Sequence, residues 1–235
     1  MLTRHRHAFL LVLLAAAAAR ADCPPQPPRV LLERFVAARC VACWKEMPPL
    51  LQEHRDAWVL DWIVPAPPDT PPPGTPRLAF LHGAAMPEAA ARMARMGGPL
   101  APDEAFTLSH PLPQRSALDL QVRDTLLPGG KIGLQLAARF TSQRPLPAGL
   151  QGWLAVVERL PPGDESSPVG RQVVRALVGP LPLEGLARQP ITHLRTVDLP
   201  AQGNPQQLTS IGWVETTRGR VIAVGRGVLP DCPKN

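Results

Sequence analysis

Two cysteines separated by two residues form the segment of the chain that is best suited to chemistry. The run Cys40-Val41-Ala42-Cys43 follows an apolar segment, Val30–Ala37, that is typical of a buried strand, and a helix is predicted from Trp44 to about Arg55. A helix N-terminus offers unpaired N–H groups and a partial positive charge, which stabilise a thiolate relative to a thiol. The pattern therefore predicts dithiol/disulfide exchange, in which Cys40 lies at an exposed lip and attacks, and Cys43 resolves the mixed disulfide.

Two other uses of this cysteine pair stand beside exchange. A zinc site needs two further ligands, and the sequence has no second CxxC and no paired histidines at ligand spacing. An inert disulfide stays open as an alternative. No cofactor and no metal are expected, because electrons would pass through the cysteines themselves. The sequence also lacks GxSxG, P-loop and HExxH motifs, so it gives no support to a hydrolase, a nucleotide-binding protein or a zinc protease.

The first residues have the pattern of a secretory signal peptide. Arg4 and Arg6 precede an apolar run, Ala8–Ala19, and Ala19-Arg20-Ala21 places small residues at the −3 and −1 positions of a cleavage site. We therefore expect residues 1–21 to be removed and the protein to be periplasmic or secreted, without a stable membrane span after cleavage. An uncleaved anchor is the alternative.

The charge of the chain does not indicate a nucleic-acid partner. The formal charge is +6, but cleavage of residues 1–21 leaves 22 basic against 19 acidic residues. No later basic cluster is interleaved with aromatic residues, which is the pattern expected of a nucleic-acid surface. The expected partners are instead protein thiol or disulfide clients and a thiol-disulfide partner that exchanges electrons with the site.

The number of cysteines agrees with export. The mature chain would hold four, an even number that suits an oxidising compartment. Cys23 and Cys232 lie near opposite ends of the chain, each beside proline, and are predicted to form a structural disulfide. Such a bond would stabilise the fold by roughly 2–5 kcal/mol. Intermolecular pairing and exchange with the CxxC pair are the alternatives.

The segment Arg39–Leu50 resembles the active-site segment of exported thioredoxin-like reductases of the TlpA/ResA type. Their pattern is roughly W-C-x-x-C-[RK]-x-E-x-P-x-L, and the matching residues are Cys40, Cys43, Glu46, Pro48 and Leu50. The resemblance implies a thioredoxin-like fold, in which Glu46 assists proton movement around the thiols. Gly74-Thr75-Pro76-Arg77 resembles the cis-proline loop of that fold, which implies that Pro76 positions the client.

The whole chain resembles a secreted bacterial family known as domain of unknown function 1223. Its members have a thioredoxin-like domain with a CxxC, followed by a β-rich domain, and the segments that carry the resemblance are Gly170–Leu177 and Gly219–Gly225. Two features favour the alternative of a non-catalytic thioredoxin-fold binding or scaffold protein with a structural disulfide. Arg39 and Trp44 replace the usual residues beside the cysteines, and the interval from Cys43 to Pro76 is short.

The order of elements predicts an α+β protein, with a thioredoxin-like α/β domain followed by an antiparallel β-sandwich-like domain. A Pro-rich spacer, 22–29, precedes the first domain, 30–98, and the β-rich domain is expected over 105–232. In the first domain, strands are predicted at Val30–Ala37, Trp58–Val64 and Arg77–Leu81, with a helix at Pro87–Met96. Short alternating segments separated by turns predict the strands of the second domain, which are Leu118–Val122, Ile132–Ala138, Trp153–Arg159, His193–Leu199, Ser210–Thr216 and Gly219–Gly225.

Three tryptophans lie close in sequence to the cysteine pair. Trp58 and Trp62 belong to a predicted buried strand, and we expect both in the core. Trp44 directly follows Cys43, and we expect it to be a surface contact for the client.

Overall fold

The structure, a computed structural model, describes residues 28–46, 56–65, 86–98, 104–200 and 203–227. These ranges contain ten strands and two α-helices. The strands are β1 (Val30–Ala37), β2 (Trp58–Val64), β3 (Ala105–Pro111), β4 (Leu118–Leu127), β5 (Lys131–Phe140), β6 (Leu150–Leu160), β7 (Arg171–Pro182), β8 (Ile191–Asp198), β9 (Leu208–Thr216) and β10 (Val221–Arg226). The helices are α1 (Val41–Lys45) and α2 (Pro87–Arg95). No helix in the described ranges is long and apolar enough to cross a bilayer.

Seven strands form one mixed sheet in the order β10-β9-β6-β7-β2-β1-β3. β1 and β2 are parallel neighbours, and β7 runs parallel to β2 on its other side, where Asp61 pairs with Val173. β3 pairs antiparallel with β1. β1 and β2 are buried along their whole length, as expected of parallel strands that are covered on both faces. The strand that leads into the cysteine pair is therefore held between two neighbours.

A second, antiparallel sheet of β4, β5 and β8 stacks on the large sheet. The two sheets meet through apolar side chains, among them Leu118, Val122, Leu134 and Leu136 of the small sheet and Leu154, Val156 and Val214 of the large one. Gly212 in β9 lies at a point of close approach. A Cβ atom at this position would lie 2.6 Å from Val122 Cγ2, so glycine allows the sheets to come together there.

Helix α2 covers the opposite face of the large sheet. It begins at Pro87, whose fixed φ suits the first helical position, and it is followed by Gly97, which has a positive φ of 76°. The helix buries Ala89 and Met93 in an apolar cluster with residues of β1, β2, β6, β7, β9 and β10. This packing fixes α2 on the face away from the cysteine pair.

A buried charge cluster fastens α2 to the sheet. Arg92 lies between Glu33 and Glu215; its Nη2 donates to Glu33 Oε1 at 2.6 Å and to Glu215 Oε2 at 3.0 Å, and its Nε also contacts Glu33. All three side chains are buried. The Arg92 guanidinium is surrounded by the rings of Trp62, Trp153 and Trp213, with Cζ between 4.7 and 5.9 Å from their centroids. Because a buried charge is stable only when it is paired and hydrogen-bonded, loss of any one member of this cluster should destabilise the fold.

The predicted fold class, a thioredoxin-like α/β domain followed by a separate β-sandwich, is wrong. Strands make up 54% and helices 12% of the described residues, in two sheets with two short α-helices and two 3₁₀-helices. The physical reason is that β1 and β2 have edges and faces to cover, and strands from the second half of the chain cover them. β7 adds to β2, and β6, β9 and β10 continue the same sheet.

Most of the local element predictions are confirmed. Val30–Ala37 and Trp58–Val64 are strands with the predicted bounds, and the predicted helix from Pro87 ends one residue early, at Arg95. The six strands predicted after residue 105 are all present and mostly longer. Two strands, β3 and β7, were not predicted, although β7 is the longest strand in the described ranges. Residues 1–27, with the predicted signal peptide and most of the spacer, and the predicted strand Arg77–Leu81 lie outside the described residues.

Replacing Glu33 with Gln should flatten the acid side of the stability profile. Burial alone would raise the pKa of Glu33, but the charge and hydrogen bonds of Arg92, with His110, lower it from 4.5 to about 2. The ionised carboxylate therefore stabilises the fold above about pH 4.5, and this contribution is lost as the pH falls from about 4.5 through about 2. In this window, the free energy of unfolding in urea should depend less steeply on pH in the variant, by up to about 1.4 kcal/mol per pH unit.

Glu184→Gln, at an exposed position, is the matched control and should keep the wild-type slope. An acid slope that is unchanged in Glu33→Gln would contradict the role assigned to this carboxylate.

Candidate functional site

The cysteine pair lies where β1 ends and α1 begins. Cys40 and Cys43 are joined by a disulfide with a Cα–Cα distance of 5.3 Å, which confirms that the two predicted partners are bonded. Cys40 is the N-cap of α1, and its Sγ accepts a hydrogen bond from the Cys43 N–H at 3.1 Å. Because the same donor would face a Cys40 thiolate, the local geometry suits a thiolate at this sulfur.

The disulfide is almost covered. Cys40 is 3% exposed and Cys43 is 8% exposed, and both pack in an apolar cluster with Val36, Ala37, Ala38, Trp44, Ile63, Leu160 and Val173. The expectation that Cys40 lies at an exposed lip is therefore wrong. The apolar cluster arises because β1, β2 and β7 all direct side chains to the face on which α1 rests. The roles of Cys40 as nucleophile and Cys43 as resolving residue stay predictions.

A buried arginine of β1 lies directly beneath the site. Arg34 is 2% exposed, and its Nη1 donates to Asp61 Oδ1 of β2 at 3.2 Å. Its Nη2 donates to the carbonyl oxygen of Cys43. The second oxygen of Asp61 accepts from the Gln172 N–H at 2.9 Å, at the point where β2 and β7 meet. Arg34 thus links the strand pairing of the sheet to the backbone of the second cysteine.

A second buried arginine closes the C-terminal end of α1. Arg171, the first residue of β7, is 2% exposed. Its Nε and Nη2 donate to the Trp44 carbonyl at 3.1 and 2.5 Å, and Nη2 also donates to the Glu46 carbonyl at 2.5 Å. Burial, and then the nearby charge of Arg34, lower the pKa of Arg171 to about 10, while Asp61 opposes this change. The final carbonyls of a helix need donors, and two guanidinium groups supply them here.

Trp44 is held by the loop between β6 and β7. Its side chain is fully buried, so the expectation of a surface contact is wrong, whereas Trp58 and Trp62 are buried as predicted. The Trp44 Nε1 donates to the Glu165 carbonyl at 3.1 Å, and the ring lies 5.6 Å from Arg171 Cζ. Trp44 is therefore a structural anchor between α1 and the β6–β7 loop.

The loop that receives Trp44 has an unusual backbone. Glu165 and Ser166 both adopt positive φ, at 46° and 60°, which is unfavourable for residues with a Cβ atom. The Glu165 side chain pairs with Arg175 at 3.0 Å, while its Oε2 is buried without a hydrogen-bond partner among the described residues. Burial raises the pKa of Glu165, although Arg175 opposes this effect. A strained loop of this kind persists only because contacts such as the Trp44 hydrogen bond hold it.

Of the remaining predicted site residues, Glu46 alone lies within the described ranges. Glu46 is described and is exposed at the end of α1, where its carbonyl accepts from Arg171. Pro76, Cys23 and Cys232 lie outside the described residues, so their roles stay predictions. No group of three histidine, cysteine or acidic residues suited to a metal ion occurs in the described ranges.

A cleft of about 440 Å³ lies at the edge of the buried charge group. Its wall includes Asp61 and Arg171 together with Val59, Leu160, Pro161 and Pro162. Asp61 and Arg171 are thus part of both the cleft and the buried charge group. The sequence pattern missed Arg34, Asp61 and Arg171 as site residues. The only signal for Arg34 and Asp61 was a charged residue within a predicted buried strand, and Arg171 lay in no predicted strand.

Replacing Trp44 with Phe should destabilise the protein more than replacing Trp62 with Phe. Both tryptophans are fully buried, and each ring faces a buried arginine, at 5.6 and 5.9 Å. Trp44 donates a hydrogen bond, whereas Trp62 Nε1 has no partner among the described residues. The free energy of unfolding in urea should therefore fall by about 1 kcal/mol more in Trp44→Phe. Equal losses in the two variants would contradict the anchoring role of Trp44.

No protein-family model matches the chain, and no curated protein matches it. Among solved structures, the chain is similar to HBP35 of Porphyromonas gingivalis, at 11% identity and a TM-score of 0.53, over 87% of this chain and 76% of that one. It also aligns with protein AGR_C_4864 from Agrobacterium tumefaciens, at 13% identity and a TM-score of 0.40, over 90% and 98% of the two chains. The first similarity indicates a shared fold alone. The second, with its lower TM-score, does not indicate a shared fold.

Proposed function

We propose that the protein is an exported thiol-disulfide oxidoreductase that acts on protein thiols or disulfides through Cys40 and Cys43. The observation that carries the proposal is the hydrogen bond from the Cys43 N–H to Cys40 Sγ, in a disulfide placed at the start of a helix. A donor in this position stabilises the thiolate that exchange requires. The resemblance of Arg39–Leu50 to the active-site segment of exported reductases supports the same chemistry. Export to the periplasm or beyond belongs to this proposal, because the bond needs an oxidising compartment.

The mechanism uses only sulfur chemistry. A thiolate attacks one sulfur of a disulfide, a mixed disulfide forms, and the second thiolate releases it. In the oxidised protein, the small exposed fraction of Cys40 and Cys43 means that a client must reach the bond at the surface of α1. Exchange is therefore expected to be faster with small thiol compounds or unfolded proteins than with folded proteins.

A second candidate function is that of a non-catalytic binding or scaffold protein in which the same disulfide is structural. The observation that favours it is the burial of both cysteines, at 3% and 8% exposure, in an apolar cluster. A buried disulfide with no exchange partner would only fix the start of α1 relative to the sheet. The two candidates differ in whether the bond is reducible under physiological conditions.

The reduction potential of the Cys40–Cys43 pair tests the proposal. The chain without residues 1–21 is equilibrated in defined glutathione buffers and alkylated, and each cysteine is identified by mass. A potential in the range of known exchangers, roughly −120 to −270 mV, is expected. A pair that resists reduction below about −300 mV would establish the structural alternative.

Trapping is the second arm of this test. Cys43→Ser removes the resolving thiol, so the Cys40 thiolate should attack a client disulfide and form a mixed disulfide that accumulates and survives non-reducing electrophoresis. Cys40→Ser is the matched control and should accumulate less of it. The same low yield in both variants would count against the roles proposed for the two cysteines.

A further inference from the structure

We propose that the site works as an oxidant of client dithiols, because the buried arginines beneath α1 stabilise its reduced form. This inference rests on the proposed function and assigns its substrate class: reduced proteins with paired thiols. The geometry that carries it is the contact of Arg34 with the Cys43 carbonyl and of Arg171 with the Trp44 and Glu46 carbonyls. Both guanidinium groups therefore lie against the backbone of the same short helix that holds the disulfide.

The charges beneath the helix do not cancel. Arg34, Arg171 and Asp61 are each no more than 2% exposed, so two buried positive charges share one buried negative charge within the described ranges. Burial first, and then the charge of Arg34, lower the pKa of Arg171, while the charge of Asp61 raises it. Lys45 and Glu46 are of opposite sign and exposed, so water screens them. A disulfide is neutral and leaves the excess positive charge unbalanced, whereas a thiolate formed on reduction balances it.

The proposed step balances as a dithiol–disulfide exchange. A client thiolate attacks Cys40 Sγ, the Cys40–Cys43 bond breaks, and Cys43 leaves as a thiolate beside the carbonyl that holds Arg34. The second client thiolate then attacks the client sulfur of the mixed disulfide, which forms the client disulfide and releases Cys40. Two electrons pass from the client to the protein, and the two thiol protons pass to solvent or to the cysteines. A disulfide compound, such as oxidised glutathione, takes the two electrons when the pair is oxidised again.

Two substitutions that change the buried charge in opposite directions test the inference. Arg171→Met removes one positive charge, so the equilibrium constant for reduction of the pair by glutathione should fall at least tenfold. Asp61→Asn removes the buried negative charge with little change of shape, so the same constant should rise at least threefold. The fraction of thiolate in the reduced protein, followed by absorbance at 240 nm against pH, should fall in the first variant and rise in the second at a given pH.

Arg175→Met is the matched control, because Arg175 is a partly buried arginine of β7 that is paired with Glu158 and Glu165. It should change the constant less than twofold. A general loosening of the fold would change the equilibrium constant for reduction in the same direction in Arg171→Met and Asp61→Asn. That result would overturn the inference. If Arg171→Met does not fold, Asp61→Asn is a sufficient test. An equilibrium constant for reduction that is unchanged or smaller in Asp61→Asn would also overturn the inference.

The proposed function fails in a different way. If the wild-type pair does not exchange with glutathione at all, the oxidoreductase proposal falls, and this inference falls with it. If the pair exchanges but the opposed shifts are absent, only the direction of electron flow is wrong. A wild-type protein that oxidises a reduced dithiol peptide faster than it reduces insulin disulfides would support both.

Discussion

Guanidinium groups buried under a helix must find acceptors, and in this protein the carbonyls of a five-residue helix provide them. Arg34 reaches the helix from the centre of β1, and Arg171 reaches it from the first residue of β7. Neither arginine could stay buried without those carbonyls and Asp61, and α1 could not end where it does without the arginines. The position of the disulfide, the pairing of β2 with β7 and the placement of Trp44 all depend on this one set of contacts.

The two faces of the large sheet use the same principle with different balances of charge. On the α2 face, Arg92 lies between two carboxylates, and tryptophan rings surround it. On the α1 face, two arginines share a single aspartate, and neutral carbonyls complete their hydrogen bonds. The first arrangement is suited to holding a helix in place. The second leaves two buried positive charges against one negative charge beneath the helix that holds the disulfide, and this imbalance distinguishes the two faces.

Local sequence patterns were sufficient for the pieces of the fold and insufficient for their assembly. Val30–Ala37 and Trp58–Val64 could be predicted as strands because continuous apolar character and β-branched residues are local properties. The pairing of β2 with β7 joins Asp61 to Gln172, which are 111 residues apart, and no local pattern specifies such a contact. The charges within β1 and β2 therefore had no visible partners, and the arginines of the site went unrecognised. The cysteine spacing alone made the disulfide predictable.

The distance along the chain between α1 and the residues that cover it affects how the protein reaches its folded state. Arg171 follows Trp44 by 127 residues, and parallel pairing over such separations gives a high contact order and slow folding. A chain that becomes available from its N-terminal end exposes Cys40 and Cys43 long before β7 is present. A disulfide made at that stage forms in an open chain and is enclosed only when β7 docks. Because the cysteines become available before β7, the disulfide can form before the rest of the fold buries it.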